Sequence, residues 1–171
     1  MKMNYRIRPI QAEDVEFLWD MLYESLFVPE GQEPFSREIL KEPFLSKYVE
    51  GWGRSGDFGC IAMNDEGRPV GSISARYFDA SNQGFGYVDN DVPELGMAIV
   101  EEYRGLGMGT ALLSELFTEA KRREIGRLSL SVDPTNAAAM KLYQRFGFEE
   151  VGQVGTSITM VANVAAYNGA G

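Results

Sequence analysis

The sequence contains no histidine and a single cysteine in 171 residues. These absences exclude an imidazole general base, Ser-His-Asp and Cys-His triads, Cys/His zinc sites and any intramolecular disulfide. Catalysis, if any, must rest on carboxylates, Tyr, Ser/Thr, Lys, backbone amides or a bound group. Basic residues are also in short supply: 16 Lys+Arg stand against 25 Asp+Glu, a formal net charge of −9. That balance argues against a nucleic-acid partner, which needs a basic patch. It is compatible with a cationic substrate, and equally with plain solubility. No run approaches the roughly 20 apolar residues of a membrane span. The opening MKMNYRIRPI also lacks the apolar core of a signal peptide. A soluble, cytoplasmic protein with no membrane partner and no metal is the expectation.

What is present is ordinary globular composition, 44% apolar and 24% charged, which excludes wholesale disorder. No repeat, low-complexity tract or linker divides the chain, so one domain over residues 1–171 is expected, with a frayed small-residue tail from about 165. Residues 5–9 alternate as a short strand. From Ala12 to Leu26 the apolar residues Val15, Leu18, Trp19, Leu22 and Leu26 recur at helical spacing. Ser36 is placed to cap a second helix carrying Ile39, Leu40, Phe44, Tyr48 and Val49, kinked or restarted at Pro43. Strands are predicted over 57–63 and 69–78, joined by the turn residues Asn64 to Arg68, and followed by a polar, aromatic loop over 79–91. A strand over 93–100, a helix over 106–122, a strand through Leu128, Leu130 and Val132, a helix over 135–146 ended by Gly147, and strands over 148–151 and 157–164 complete the order. The pattern β α α β β β α β α β β predicts a mixed α/β or α+β sheet rather than a doubly wound parallel one.

The densest local signal is Arg104-Gly105-Leu106-Gly107-Met108-Gly109-Thr110, between a predicted strand and an apolar-periodic helix. Glycines allow sharp turns and close approach to backbone amides. The helix start leaves N–H groups unpaired and favours an anion, a phosphate above all. A tight strand-to-helix turn with no ligand is the other reading. A Walker A loop needs lysine before the threonine, and a dinucleotide fingerprint needs G-x-G-x-x-G spacing; neither is present.

The stretch from Glu94 to Gly109 resembles the acyl-CoA-binding motif R/Q-x-x-G-x-G/A of the GNAT N-acetyltransferase superfamily, through Arg104, Gly107 and Gly109. A second block, from Asp133 to Phe148, is similar to that family's N-x-x-A-x-x-x-Y-x-x-x-G-F, through Asn136, Ala139, Tyr143, Gly147 and Phe148. The element order is similar too, so the likeness covers nearly the whole chain. It implies a mainly antiparallel twisted sheet, splayed between the strands at 93–100 and 128–132, with helices around it. It also implies acetyl transfer from acetyl-CoA to a primary amine by direct attack. Backbone groups of Ala98, Ile99 and Val100 would pair with the pantetheine arm. The amides of Arg104, Gly105, Leu106, Gly107, Met108, Gly109 and Thr110 would hold the pyrophosphate, and Asn136 the arm near the thiol. Tyr143 would protonate the departing thiolate.

The chemistry needs an oxyanion donor, for which a strand amide freed by a bulge near residues 97–99 is suited, and a base for the acceptor ammonium. Glu94, at the strand start, is the candidate base, with Asp89, Asp91 and Glu101 behind it. Each assignment has a structural alternative: Glu94 as a solvated strand end, Tyr143 as a core aromatic, Asn136 as a helix N-cap. Cys60 reads as a buried structural thiol. Phe27, Tyr77, Phe85 and Asp91 are candidate acceptor contacts, and Phe35, Phe44 and Tyr48 near the first two helices belong to the same region. Carboxylates among aromatics suit an ammonium-bearing acceptor such as a polyamine, aminoglycoside, amino acid derivative or peptide N-terminus. A non-catalytic acyl-CoA-binding or regulatory module and an ATP or NAD binder are the competing readings. Oligomeric state is open, a homodimer being one arrangement.

Overall fold

A computed structural model describes residues 5–167. The amino-terminal half lays down β1 (Tyr5–Pro9), α1 (Val15–Glu24), α2 (Pro43–Ser46), β2 (Phe58–Asn64), β3 (Pro69–Arg76) and β4 (Glu94–Ile99). The second half adds α3 (Met108–Arg122), β5 (Arg127–Val132), α4 (Ala137–Arg145), β6 (Glu149–Val154) and β7 (Ser157–Asn163). The strands form one sheet ordered β1-β2-β3-β4-β5-β7-β6, antiparallel except between β4 and β5. This is the mixed, mainly antiparallel architecture expected. Among the described residues no helix is long and apolar enough to cross a membrane.

Three expected helices differ in detail. The first begins as a single 3-10 turn at Ala12–Asp14, because Asp14 turns aside to a two-pronged ion pair with Arg8 at 2.7 and 2.8 Å. The second is two short pieces. Ser36 Oγ accepts from Glu38 N and caps the 3-10 turn Arg37–Lys41, and Pro43 then starts α2 at a first-turn position where no N–H is needed. The third starts at Met108 rather than Leu106, after Gly107 in the left-handed region (φ +88°). The 64–68 turn is as expected: Asn64 Oδ1 accepts from the amides of Glu66 and Arg68.

The sheet separates two apolar layers. Ile61 faces α1 with Leu18 and Val49, while its neighbour Ala62 faces the main core under α3. There Leu112, Leu113, Leu116 and Phe117 are fully buried against residues from β2, β3, β5 and β7. Each such side chain contributes about 1.5–3 kcal/mol, which makes α3 the main brace of the sheet. The tail is not frayed at its start. Val164–Ala166 makes a 3-10 turn, and the Tyr167 ring packs on Phe117 and Phe146 at 4.9 and 5.7 Å between centroids. Residues 168–171 of the expected tail lie outside the described residues.

The feature that positions the site is the junction of β4 with β5. β4 pairs with β3 over six positions and β5 with β7 over six. Between β4 and β5 only Glu94 and Ser129 stand in register, and Ser129 N donates to the Pro93 carbonyl at 3.0 Å. Beyond that rung the strands part. Register on β3 is continuous, so no bulge frees an amide near residues 97–99 as expected; the recorded shifts lie at Ala62/Met63 and Glu150/Gly152. The edge is exposed simply because β5 diverges.

Candidate active site

Along β4 the antiparallel alternation decides which backbone groups are free. Val100 N donates to the Val70 carbonyl at 2.8 Å, which places the Ala98–Ser72 pair in the same hydrogen-bonded sense. Ala98 thus spends its groups on β3, while Val100 gives its amide to β3 and its carbonyl to the Tyr103 amide. Ile99 and Met97 turn theirs to the opening, so of the three residues expected there only Ile99 faces it, and Met97 was missed. The Ile99 carbonyl accepts from Arg104 Nε at 2.8 Å, leaving the Ile99 amide and both groups of Met97. Arg104 also reaches Glu24 at the end of α1 (3.1 Å), so its side chain anchors the loop while its backbone enters the turn.

The loop from 104 to 110 supplies a cradle. Gly105 and Gly107 have φ of +75° and +88°, where a side chain would be strained. Ala111 N is the first amide to fold back, onto the Gly107 carbonyl; among the described residues the amides of 105–110 find no protein acceptor. Gly109 sits close under α4, where a Cβ would press on the Leu142 side chain at 3.0 Å. Met108 is buried, Leu106 is 55% exposed, and the Thr110 hydroxyl lies 3.5 Å from Arg145. The amides, the helix N-terminus and the glycines together fit an anionic diphosphate.

Glu94 is not a solvated strand end. It is 4% exposed, and Oε2 accepts from the Tyr48 hydroxyl at 2.7 Å. Tyr48 in turn accepts the Phe85 amide at 2.7 Å, so one phenol ties the turn after α2, the 79–93 loop and β4 together. Burial raises the Glu94 carboxyl to about 7, against the opposing pull of Tyr48, the Gly86 amide and Lys47. Oε1 is buried without a partner, and so is Ser129 Oγ on the same rung; among the described residues these are the two such side-chain oxygens. Buried oxygens left unpaired in a native fold call for an explanation, and a reacting or bound group is one. A Cβ on Gly84 would collide with Oε1 and approach the Tyr48 oxygen to 2.7 Å, while one on Gly86 would strike the backbone of Leu130. The two glycines let the loop close over the rung.

Tyr143 is a core aromatic, 8% exposed, edge-on to Phe148, and its hydroxyl makes no hydrogen bond among the described residues. Burial pushes it up to about 12, so it keeps its proton at neutral pH. Asn136 is an N-cap, its Oδ1 accepting from Ala139 N at 3.3 Å, with its amide NH2 left for another contact. Cys60 is half-buried and its thiol is pushed up to about 11 by burial and then by Glu115 and Glu119.

Of the residues expected to contact the acceptor, Phe85 lines a cavity from which Phe27, Tyr77 and Asp91 are absent. Phe85 stands edge-on to Phe44 at 5.9 Å, and both line a cavity of about 210 Å3 with Lys47, Gln83, Gly84 and Val154. Tyr77 packs on Gly56, with Arg123 and Asp91 as its charged neighbours, because it follows Arg76 on the alternate face. Asp91 is 81% exposed and faces Arg127 at 3.9 Å. Phe27 is half-buried after α1 and does not line the cavity. Arg76, fully buried and unremarked in the sequence, holds Asp57 by two bonds at 3.1 Å and the carbonyls of Lys47 and Glu50. It thereby fixes the segment that delivers Tyr48.

Comparison with known proteins agrees with this geometry. The family model described as Acetyltransferase (GNAT) family matches residues 16–148. A Schizosaccharomyces pombe protein named N-alpha-acetyltransferase 30 is 40% identical over 117 residues, 68% of each chain. A Bacillus subtilis protein provisionally named a ribosomal protein bS18-alanine N-acetyltransferase is 25% identical over 152 residues, 89% of this chain and 85% of that one. The structure of a Sinorhizobium meliloti phosphinothricin acetyltransferase in complex with AcCoA superposes with a TM-score of 0.67 at 18% identity, covering 94% of this chain and 89% of that one. With the parted strands, the glycine cradle and the match over most of its length, the chain belongs to the GNAT family of acetyltransferases.

Proposed function

We propose that this acetyltransferase moves the acetyl group of acetyl-CoA directly onto a primary amine, with Glu94 and Tyr143 handling the protons. The observation that carries the reading is the opening between β4 and β5, which runs from the unpaired amides of 105–110 to the rung bearing two unpartnered oxygens. Acetyl-CoA supplies the activated thioester. The cradle amides hold its diphosphate, and the Met97 and Ile99 edge takes its arm as an added strand, assisted by the Asn136 side-chain amide. An N–H of that edge faces the negative charge that develops on the thioester oxygen, often the largest catalytic contribution. Tyr143, protonated at neutral pH, gives its proton to the departing thiolate.

Glu94 takes the proton from the acceptor ammonium. A carboxyl at about 7 is ionised often enough to accept that proton and basic enough to hold it. Relatives named for acetylating a ribosomal-protein alanine and N-alpha groups make a polypeptide N-terminus the first acceptor to try. Thiol release from acetyl-CoA across a panel of amines and short peptides tests the assignment. Turnover that falls in Glu94→Gln, with its pH dependence displaced to alkaline values, supports it. Tight acetyl-CoA binding with no turnover on any amine would instead assign a non-catalytic binder.

A further inference from the structure

The cavity beside Gly84 carries information about the acceptor beyond its being an amine. At about 210 Å3 it is an open depression smaller than the roughly 300–1,000 Å3 of pockets that enclose drug-sized ligands, with room for a group about one side chain in size. Its walls are Phe44, Phe85 and Val154. Phe44 and Val154 are 45% and 49% exposed, two of the five large apolar side chains left open among the described residues. Aromatic and aliphatic side chains around a concavity, beside a buried, unpartnered oxygen, are the lining a small ligand site offers.

Charge narrows the class. Lys47 is the one ionisable residue among those lining the cavity, and its ammonium is held there by Asn82 Oδ1 at 3.2 Å and by the Gln83 carbonyl. The acidic residues that crowd this part of the sequence keep their charge but do not line the cavity. Asp79 binds Ser81, Asp89 accepts the Asn90 amide, and Asp91 faces Arg127. Glu94 does not line the cavity either, but its unpartnered Oε1 lies directly behind Gly84, which does. One ammonium is matched by that carboxylate; a second would meet Lys47 where a polyamine site would place an acid.

Resting on the acetyl-transfer reading above, we infer that the acceptor is a primary amine with a single positive charge and one apolar group, seated against Phe44, Phe85 and Val154, and that Lys47 turns polycations away. Free arylalkylamines and polypeptide N-termini that begin with an apolar residue share this chemistry. Thiol release by the full chain at saturating acetyl-CoA is measured with 2-phenylethylamine, phenylalanine amide and spermidine. One of the first two should exceed spermidine in kcat/KM by at least 10-fold; which of them leads separates a free amine from a chain terminus. Lys47→Glu should reduce that ratio 10-fold or more. Val154→Glu, at an exposed position, should reduce it in the same direction should the lysine variant fold poorly. Preference for spermidine in the wild type, or a ratio unmoved in both variants, overturns the inference while leaving acetyl transfer standing. No turnover with any amine overturns both.

Discussion

Glu94→Gln tests the buried carboxyl without any knowledge of the substrate. Burial holds Glu94 at about 7 in the folded chain, against an ordinary value of 4.5. A raised carboxyl makes the native state the better proton binder between those two values, so its contribution to stability is fully present below pH 4.5 and is lost as pH rises through 7. At roughly 1.4 kcal/mol per pH unit, the separation amounts to about 3 kcal/mol. Solvent screening does not dilute it, because the side chain is 4% exposed. Glutamine does not titrate and can still accept from Tyr48, and any misfit of its amide beside Gly84 adds a pH-independent offset. Urea unfolding of both proteins at several pH values between 4 and 8.5 isolates the pH-dependent part. Relative to wild type, the variant should gain about 3 kcal/mol across this range, roughly 6–12 °C in Tm for a chain of this size. Parallel stability curves, with a difference constant to about 0.5 kcal/mol, would show that Glu94 is ordinary in the folded state and would remove the basis for its role as base.

The other residues give readouts of their own. Tyr143→Phe should lower kcat by about 100-fold or more, as loss of a general acid does, with the acetyl-CoA dissociation constant in equilibrium titration nearly unchanged. Tyr48→Phe removes the hydrogen bond that pulls Glu94 down, so the acid limb of the kcat/KM profile should move to higher pH by about one to two units. Gly107→Ala forces a side chain into φ of +88°; it should cost about 1–2 kcal/mol in urea unfolding and weaken acetyl-CoA binding in titration.

Much of the fold could be read from local periodicity. Leu112, Leu113, Leu116 and Phe117 announce α3, alternation in 127–132 announces β5, and the glycines of 105–109 mark the turn between sheet and helix. The candidate site was legible only where its chemistry is written in contiguous residues. Tyr48 meets Glu94 across 46 positions, and Arg76 grips Asp57 across 19; a hydroxyl among apolar neighbours and an arginine inside a strand carry no local sign of such partners. Tyr77 and Asp91 lie away from the Phe44–Phe85 cavity for the converse reason: closeness in sequence does not decide facing, and Tyr77 has already left β3 while Asp91 sits in the turn before β4. The free backbone of Met97 rather than Ala98 is likewise a matter of pairing parity, which exists only once β3 lies alongside.

The single rung joining β4 to β5 has a mechanical consequence. With one ladder step between them, the two half-sheets rely on the core they share, in which Leu116 and Phe117 of α3 lie among residues of both. Leu116 and Phe117 are therefore tie-bars as well as core. Trimming either should let the halves splay, and amide exchange along Arg127–Val132 should quicken before that along Phe58–Asn64.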